Sequence, residues 1–232
     1  MTSASLDGKI VVIPGGTGNV GEGIVRAFLT AGATVIVSSR NQARLDELAK
    51  LIGSGHVGNL KTITAGYGTF TEADQLATGI TREYGHVDHV VATVGGWWMG
   101  KALWQISEDD GQKVFVDVAT THMALARSFV PRLAEGGTYT AIAGFSAQSP
   151  YPTAGIVSMQ GAAQLMMREA LSANSAASGA STTSSSARSS TGAVRAVIPT
   201  GSPPTRSARR RSASPSLHRS PMSTSSWTRV TT

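Results

Sequence analysis

Gly15, Gly18 and Gly21 recur at three-residue intervals directly after a short apolar run. Glycine lets the backbone turn tightly, so its N–H groups can approach a phosphate at the start of a helix, where the helix dipole favours an anion. The sequence therefore predicts a site for a dinucleotide pyrophosphate formed by Gly15, Gly16, Thr17, Gly18, Asn19, Val20 and Gly21. The alternative is a glycine-rich turn that binds nothing, because a glycine pattern alone is weak evidence.

Ser39 and Arg40 end the next apolar run, where the adenosine ribose of a dinucleotide would lie. An acidic side chain there would bind the ribose 2′-hydroxyl, whereas an arginine would pair with a 2′-phosphate. Arg40 therefore predicts NADP rather than NAD as the cofactor. The alternative is a solvated arginine that opens the next helix, which is our interpretation of Arg44.

Short β-branched runs alternate with amphipathic segments along most of the chain. The runs predict strands, and the helical spacing of apolar residues in the other segments predicts helices. This alternation predicts an α/β doubly wound parallel sheet, a Rossmann fold, in a single domain. Strands are predicted at residues 10–13, 34–37, 60–64, 89–94 and 138–143, and helices at residues 22–31, 41–52, 71–84, 109–133 and 154–171.

The opening from Lys9 to Arg40 combines a strand, the glycine turn, a helix and a second strand. Together with the later strand that starts near Thr138, it resembles the short-chain dehydrogenase/reductase family over residues 6–171. The G-x-x-G-x-x-G form of the turn is typical of the family's extended and atypical members. The resemblance implies hydride transfer between a nicotinamide cofactor and a carbonyl or alcohol. The resemblance also assigns Thr93, Val94 and Gly95 to the cofactor site, because these residues stand at the family's N-N-A-G segment.

The catalytic residues that the resemblance implies are a Tyr-x-x-x-Lys pair and a Ser, and this chain departs from each. Ile156 and Gln160 stand at the Tyr and Lys positions, and Ala143 or Gly144 stands at the Ser position. Tyr67 replaces the Asp that usually follows the third strand. The sequence therefore predicts an atypical member without the usual acid, whose contribution to rate is about 10²–10⁴-fold.

Tyr151 and Ser146 are the candidate substitutes for the missing catalytic hydroxyl groups, since both lie near the empty positions. Tyr151 is flanked by Pro150 and Pro152, which stiffen its loop. The alternative is that Tyr151 only covers the mouth of the pocket.

Four large side chains follow the fourth predicted strand: Trp97, Trp98, Met99 and Trp104. Ligands bind at the carboxyl ends of such strands, so we expect an apolar wall for a small, lipophilic substrate or ligand. An oligomer contact or ordinary core is the alternative.

The five histidines show no metal-ligand spacing, and we expect no metal.

The charge is divided unequally along the chain. Residues 1–171 contain all 14 acidic and 12 of the 20 basic residues, whereas residues 172–232 contain eight Arg and no acid. The absence of Cys excludes disulfide and thiolate–metal chemistry, and no apolar run has membrane-spanning length. We expect a soluble cytoplasmic protein without membrane partners. The resemblance implies a homodimer or homotetramer built on the long helix at residues 109–133.

Residues 172–232 are rich in Ser, Thr and Arg, and this low complexity predicts a disordered or non-native tail after a nucleotide-binding domain at residues 1–171. Read literally, Arg209, Arg210 and Arg211 would bind nucleic acid through counterion release. A frameshift is our preferred hypothesis. If one G is restored between the codons of Ala173 and Asn174 and G/C-rich codons are assumed, the shifted reading frame encodes a β-branched strand followed by Gly-Pro-Val. Sequencing the coding DNA at this position tests the hypothesis.

The residues therefore support three hypotheses for function. The first is an NADP-linked oxidoreductase that acts on an unknown carbonyl or alcohol. The second is a non-catalytic NADP(H)-binding protein, a sensor or partner subunit, because the usual catalytic positions are empty. The third is nucleic-acid binding through the tail.

Overall fold

The computed structural model describes residues 5–56, 59–177, 187–188, 194–195 and 198–199. Five parallel strands form the sheet in the order β3-β2-β1-β4-β5. Their bounds are β1 Ile10–Val12, β2 Thr34–Ser39, β3 Leu60–Thr64, β4 Val87–Ala92 and β5 Leu133–Ala143. The order reverses direction between β1 and β4, and a doubly wound sheet binds its ligands at this switch point. The predicted fold class is confirmed.

The helices connect successive strands and cover both faces of the sheet. Their bounds are α1 Asn19–Thr30, α2 Gln42–Ile52, α3 Phe70–Tyr84, α4 Glu108–Asp110, α5 Asp117–Phe129 and α6 Gly155–Ala177. A π-helical segment, Gly111–Val116, joins α4 to α5. Among the described helices, none combines the length and apolarity that a bilayer span requires.

The alternation of side chains along the strands builds two cores, one on each side of the sheet. Val11, Val35 and Val37 point to the side covered by α1 and α2. Val12 and Ile36 point to the opposite side, against residues of α3 and α5. All five side chains are fully buried, so β1 and β2 are apolar on both faces, as expected for the central strands of a parallel sheet between helices.

Two predicted boundaries near β5 are wrong. The helix predicted to end at Leu133 ends at Phe129, because Val130–Arg132 forms a 3₁₀ turn around Pro131, which has no N–H to donate. Leu133 already pairs with Val87 in β4, and the next pair is His89 with Thr138. The ladder therefore bulges where Gly136 takes a φ of 73°, and regular pairing starts only at the predicted Thr138.

The outer edge of β5 pairs with short antiparallel strands: β6 Ala187–Arg188, β7 Val194–Arg195 and β8 Ile198–Pro199. β7 and β8 pair with β5, and β6 pairs with β7. α6 continues to Ala177, six residues past the predicted boundary at residue 171. Most of the predicted tail, including Arg209–Arg211, lies outside the described residues, and its disorder and frameshift origin stay predictions.

Asp88 is a buried carboxylate at the start of β4, and three groups hold it. The Lys9 Nζ lies 2.9 Å from Oδ1, the Ile10 N–H donates to Oδ2 at 2.8 Å, and the His86 Nε2 lies 3.1 Å from Oδ2. Burial opposes ionisation, but the hydrogen bond from Lys9, the Ile10 amide and the charges of Lys9 and His86 together lower the pKa of Asp88.

Asp88→Asn is expected to lower the free energy of unfolding at pH 7 by about 1.5–3 kcal/mol, the usual contribution of hydrogen bonds to a charged group. Because the folded pKa of Asp88 is depressed, its stabilisation is present above the unfolded value of about 3.9 and is lost as the pH falls through the folded pKa. Urea unfolding at pH 7 and pH 3 measures this. The difference between the two proteins should be smaller at pH 3 than at pH 7, whereas Asp46→Asn on exposed α2 should match the parent at both pH values.

Candidate functional site

The turn between β1 and α1 is packed backbone against backbone. Gly15 has a φ of 84°, and a Cβ on it would lie 2.6 Å from the Thr93 carbonyl oxygen. A Cβ on Gly21 would lie 2.3 Å from the Gly15 carbonyl oxygen. Gly18 is the N-cap of α1, and its N–H donates to the Gly15 oxygen at 2.9 Å. Glycine is thus required at two of the three predicted positions by the protein's own backbone.

The end of β4 is tied to this turn through Thr93. The Thr93 N–H and hydroxyl both donate to the Pro14 carbonyl oxygen, at 2.8 and 3.0 Å. Gly95 follows with a φ of 122°, a conformation that favours glycine. The sequence motif at residues 15–21 and the segment 93–95 therefore meet in the structure, as the proposed cofactor site requires.

The end of β2 lies beside the same turn. The Ser39 hydroxyl accepts a hydrogen bond from the Asn41 N–H at 3.1 Å, and the Arg40 side chain is exposed. Burial raises the pKa of Tyr67, while the Gly15 amide and the positive charges of Arg40 and Arg44 oppose that rise. Tyr67 therefore lies near the glycine turn, with both arginines close enough to act on its hydroxyl group.

A cavity of about 530 Å³ opens where the glycine turn, β4, β5 and α6 meet. Predicted cofactor residues on its wall are Val20, Thr93, Val94 and Gly95. Ser39 and Arg40 lie outside this wall, at the neighbouring strand end. None of the described residues that line the cavity carries a formal charge at neutral pH. The cavity is therefore a neutral and largely apolar chamber.

Both candidate hydroxyl residues, Tyr151 and Ser146, line the cavity. The Tyr151 ring makes an edge contact with Trp97, with 5.7 Å between ring centroids. Its loop is fixed to the start of α6, because the Tyr151 N–H donates to the Ser158 hydroxyl at 3.4 Å and the Ala154 N–H donates to the Tyr151 carbonyl oxygen at 3.1 Å. Ser158 was not singled out from the sequence, although it lies between Ile156 and Gln160.

The positions expected to hold Tyr and Lys are occupied by Ile156 and Gln160, and only one of the two residues lines the cavity. Ile156 is 3% exposed and lies outside the cavity lining, whereas the Gln160 side chain lines the cavity. Gln164, one helical turn later, lines it as well. Sequence reasoning missed Gln164, although its spacing of four residues from Gln160 on α6 was the available signal.

The predicted aromatic wall is only partly correct. Trp97 lines the cavity, but Trp98, Met99 and Trp104 are not part of its wall. Trp98 instead lies under the Lys101 ammonium, which is 6.0 Å from the ring centroid, and Trp104 is 88% exposed. After Trp97 the chain lies against the loop before α6, where the Gly100 N–H donates to the Thr153 carbonyl oxygen at 3.0 Å.

Three histidines have structural contacts: His86, His89 and His122. The buried His122 ring donates through Nε2 to the Val94 carbonyl oxygen at 3.0 Å, and its burial lowers the pKa of the imidazole. This contact supports the loop that carries Val94 to the cavity. His218 lies outside the described residues. Among those residues, no group of three His, Cys, Asp or Glu could hold a metal ion.

The sequence profile described as short chain dehydrogenase matches residues 9–182. The chain belongs to the short chain dehydrogenase family. This confirms the resemblance inferred from the glycine turn and the strand order. Members of this oxidoreductase family bind a nicotinamide cofactor and act on small molecules.

Curated relatives of this family member agree with the assignment. An uncharacterised oxidoreductase of Mycobacterium tuberculosis is 33% identical over 130 residues, which are 56% of this chain and 49% of that protein. Dehydrogenase/reductase SDR family member 7B of Danio rerio is 29% identical over 143 residues, which are 58% of this chain and 45% of that protein. The chain thus spans about half the length of the curated relatives that it matches.

Solved structures of other short-chain dehydrogenases share the fold. The NADP active-site complex of Pseudomonas aeruginosa RhlG has a TM-score of 0.66 at 21% identity, covering 75% of this chain and 69% of that one. A metagenomic short-chain oxidoreductase in complex with NADP has a TM-score of 0.66 at 18% identity, covering 75% and 79%. At these identities, the likeness establishes the fold alone.

Proposed function

We propose that this short-chain dehydrogenase is an NADP-linked oxidoreductase that acts on a carbonyl or alcohol group of a small, lipophilic molecule. The observation that carries the proposal is the place of Arg40 at the end of β2, beside the glycine turn. No carboxylate among the described residues forms an ion pair with Arg40 or Arg44. The Arg40 guanidinium is therefore available to a 2′-phosphate.

The residues of the turn fit a dinucleotide. Close packing at Gly21 holds the start of α1 against the backbone of Gly15 and Gly16, and Val20 of the same helix turn lines the cavity. We assign the pyrophosphate to the segment 15–21, the ribose and 2′-phosphate to Ser39 and Arg40, and the adenine side to the segment 93–95. The bound cofactor would supply or accept a hydride.

Tyr151 is the proposed proton donor and acceptor, and Ser146 the proposed partner that orients the substrate oxygen. Both residues line the cavity. Ser158 and the two flanking prolines hold the Tyr151 loop, which limits the positions that the phenol can take. The apolar lining around them favours a lipophilic substrate and excludes water from the reacting group.

A second candidate function is NADP(H) binding without catalysis. The observation that favours it is the pair of departures on α6: Ile156 is buried outside the cavity, and Gln160 has an amide in place of an ammonium. NADPH oxidation with a panel of carbonyl compounds separates the two functions. Binding without turnover across the panel would leave the sensor or partner-subunit function.

Assembly with a second copy of the chain is also proposed, as the family resemblance implies. Met123 on α5 is 53% exposed and Met166 on α6 is 66% exposed, so apolar area remains uncovered on the two helices. Nucleic-acid binding has no support from the described residues, because the Arg-rich segment lies outside them.

Arg40→Ala is expected to weaken NADPH binding about 10- to 150-fold, because a charge-assisted contact contributes about 1.5–3 kcal/mol. NADH binding should change little, since NADH has no 2′-phosphate. Titration of each cofactor, followed by its fluorescence, measures both affinities. Arg44→Ala, one helical turn later, is the matched control and should have a smaller effect. Equal weakening of NADPH and NADH by Arg40→Ala would contradict the NADP assignment.

A further inference from the structure

Two aromatic side chains from different loops meet beside the neutral cavity. Trp97 follows β4 and Tyr151 precedes α6, and both residues line the cavity. Their ring centroids lie 5.7 Å apart, and their ring planes are inclined at 69° to each other. Trp97 is 60% exposed and Tyr151 is 53% exposed, so their mutual contact leaves much of both side chains uncovered. The two rings therefore form an open corner, which we call the aromatic corner.

The aromatic corner is preformed, because the two loops that carry it are bound to each other. The Gly100 N–H donates to the Thr153 carbonyl oxygen at 3.0 Å, and this hydrogen bond joins the two loops. The Leu103 side chain packs at the start of α6, 3.6 Å from the position that a Cβ would take on Gly155. A ligand that enters the corner therefore loses little binding free energy to ordering the protein.

The inclined rings of the aromatic corner favour a flat aromatic ligand. A third aromatic ring that stacks on one ring of the corner is inclined at 69° to the other. It makes an offset-stacked contact and an edge-to-face contact at once, and these are the two favoured arrangements of aromatic pairs. A saturated ring has neither a negative π face nor a positive edge. Burial of apolar area alone would not distinguish the two kinds of ring, whereas the aromatic corner does.

We propose that the aromatic corner binds an aromatic ring of the substrate, so that the enzyme acts on aryl-substituted carbonyl or alcohol compounds. The cavity volume of about 530 Å³ lies within the range of small-molecule sites, which is about 300–1,000 Å³. Ser146 and Tyr151 line the same cavity, so a carbonyl group attached to the ring shares it with the proposed catalytic residues. The assignment of the ring to a substrate rests on the proposed function, whereas binding of the ring does not.

Acetophenone and cyclohexyl methyl ketone test the preference for an aromatic ring, since they share the methyl ketone and have the same number of non-hydrogen atoms. Isothermal titration calorimetry with the full chain measures both affinities. We expect acetophenone to bind about three- to tenfold more tightly, because aromatic pairs contribute beyond the area that they bury. Equal affinities, tighter binding of the saturated ketone, or binding of neither compound would overturn the proposal.

Trp97→Leu and Tyr151→Leu should each abolish the preference for acetophenone. Both side chains are more than half exposed, so the melting temperature should change little. Tyr151→Phe should keep the preference, because it keeps the ring and removes only the hydroxyl group. Trp104→Leu, at a residue that is 88% exposed and outside the lining, is the matched control and should keep it as well. A preference that survives both leucine variants of the corner would show that the two rings do not cause it.

The same titrations in saturating NADPH distinguish a substrate ring from the nicotinamide ring of the cofactor. Acetophenone that still binds, with its preference intact, supports a substrate ring. Displacement of acetophenone by NADPH would assign the corner to the cofactor and overturn the substrate proposal. NADPH oxidation with acetophenone tests the proposed function separately. A binding preference without turnover would contradict the oxidoreductase function and leave the aromatic-ring site in place.

Discussion

Replacing Gly21 with Ala is expected to lower the free energy of unfolding by about 3 kcal/mol, at the upper end of overpacking costs. The new Cβ would lie 2.3 Å from the Gly15 carbonyl oxygen and 2.7 Å from the Gly16 Cα. Both are backbone atoms, so the clash is relieved only by opening the turn. NADPH affinity should fall more than 100-fold, because the amides of the turn would no longer converge. Urea unfolding and NADPH titration measure the two effects.

Gly23→Ala is the matched control for this prediction, since it makes the same chemical change two residues later in α1. A Cβ on Gly23 would meet no atom within 4 Å. Alanine should therefore stabilise the helix by up to about 1 kcal/mol and leave NADPH binding unchanged. If both variants behaved alike, close packing of the turn would not be the reason for glycine at position 21.

Tyr151→Phe is expected to lower kcat with the best carbonyl substrate by about 10²–10⁴-fold, the usual contribution of general acid–base catalysis. The change removes only the hydroxyl group, so the edge contact of the ring with Trp97 and the melting temperature should persist. NADPH affinity should stay the same. NADPH oxidation under saturating substrate measures kcat.

Ser146→Ala should also lower kcat, but by less, because a neutral hydroxyl orients the oxygen without transferring the proton. Tyr84→Phe, a hydroxyl deletion on α3 outside the cavity wall, should leave kcat unchanged. Turnover that is unaffected by Tyr151→Phe would remove Tyr151 from the mechanism. It would direct attention to a proton donor outside the described residues.

The sequence predicted the fold and the place of the glycine turn between β1 and α1 because these depend on local patterns. A short β-branched run between two helical segments, such as residues 34–37, favours a strand over other structures. Glycine at positions 15 and 21 likewise has a local cause, the tight turn. The helix and strand boundaries near Leu133 were missed because the bulge there depends on pairing with β4, which no local pattern contains.

The neutral side of the cavity was less predictable, because it depends on which side chains the fold brings to the wall. Gln164 is an ordinary helix residue in the sequence, and only the fold shows that it lines the cavity. Trp98 and Trp104 are the large apolar residues that a pocket wall usually contains, yet neither lines the cavity. The prediction of NADP from Arg40 needed no knowledge of packing, because it depends only on an arginine at a strand end, and it stays a prediction.

The burial of Gln160 also limits how this lineage could change. Substituting the family's lysine there would place an ammonium in a wall whose described residues include no carboxylate, and an unpaired buried charge is among the costliest single changes. A tyrosine at position 156 would have to enter a site where Ile156 is 3% exposed. Each of the two changes alone is therefore expected to destabilise the domain. Selection can therefore refine the present amide-lined chamber more easily than it can restore the usual catalytic pair.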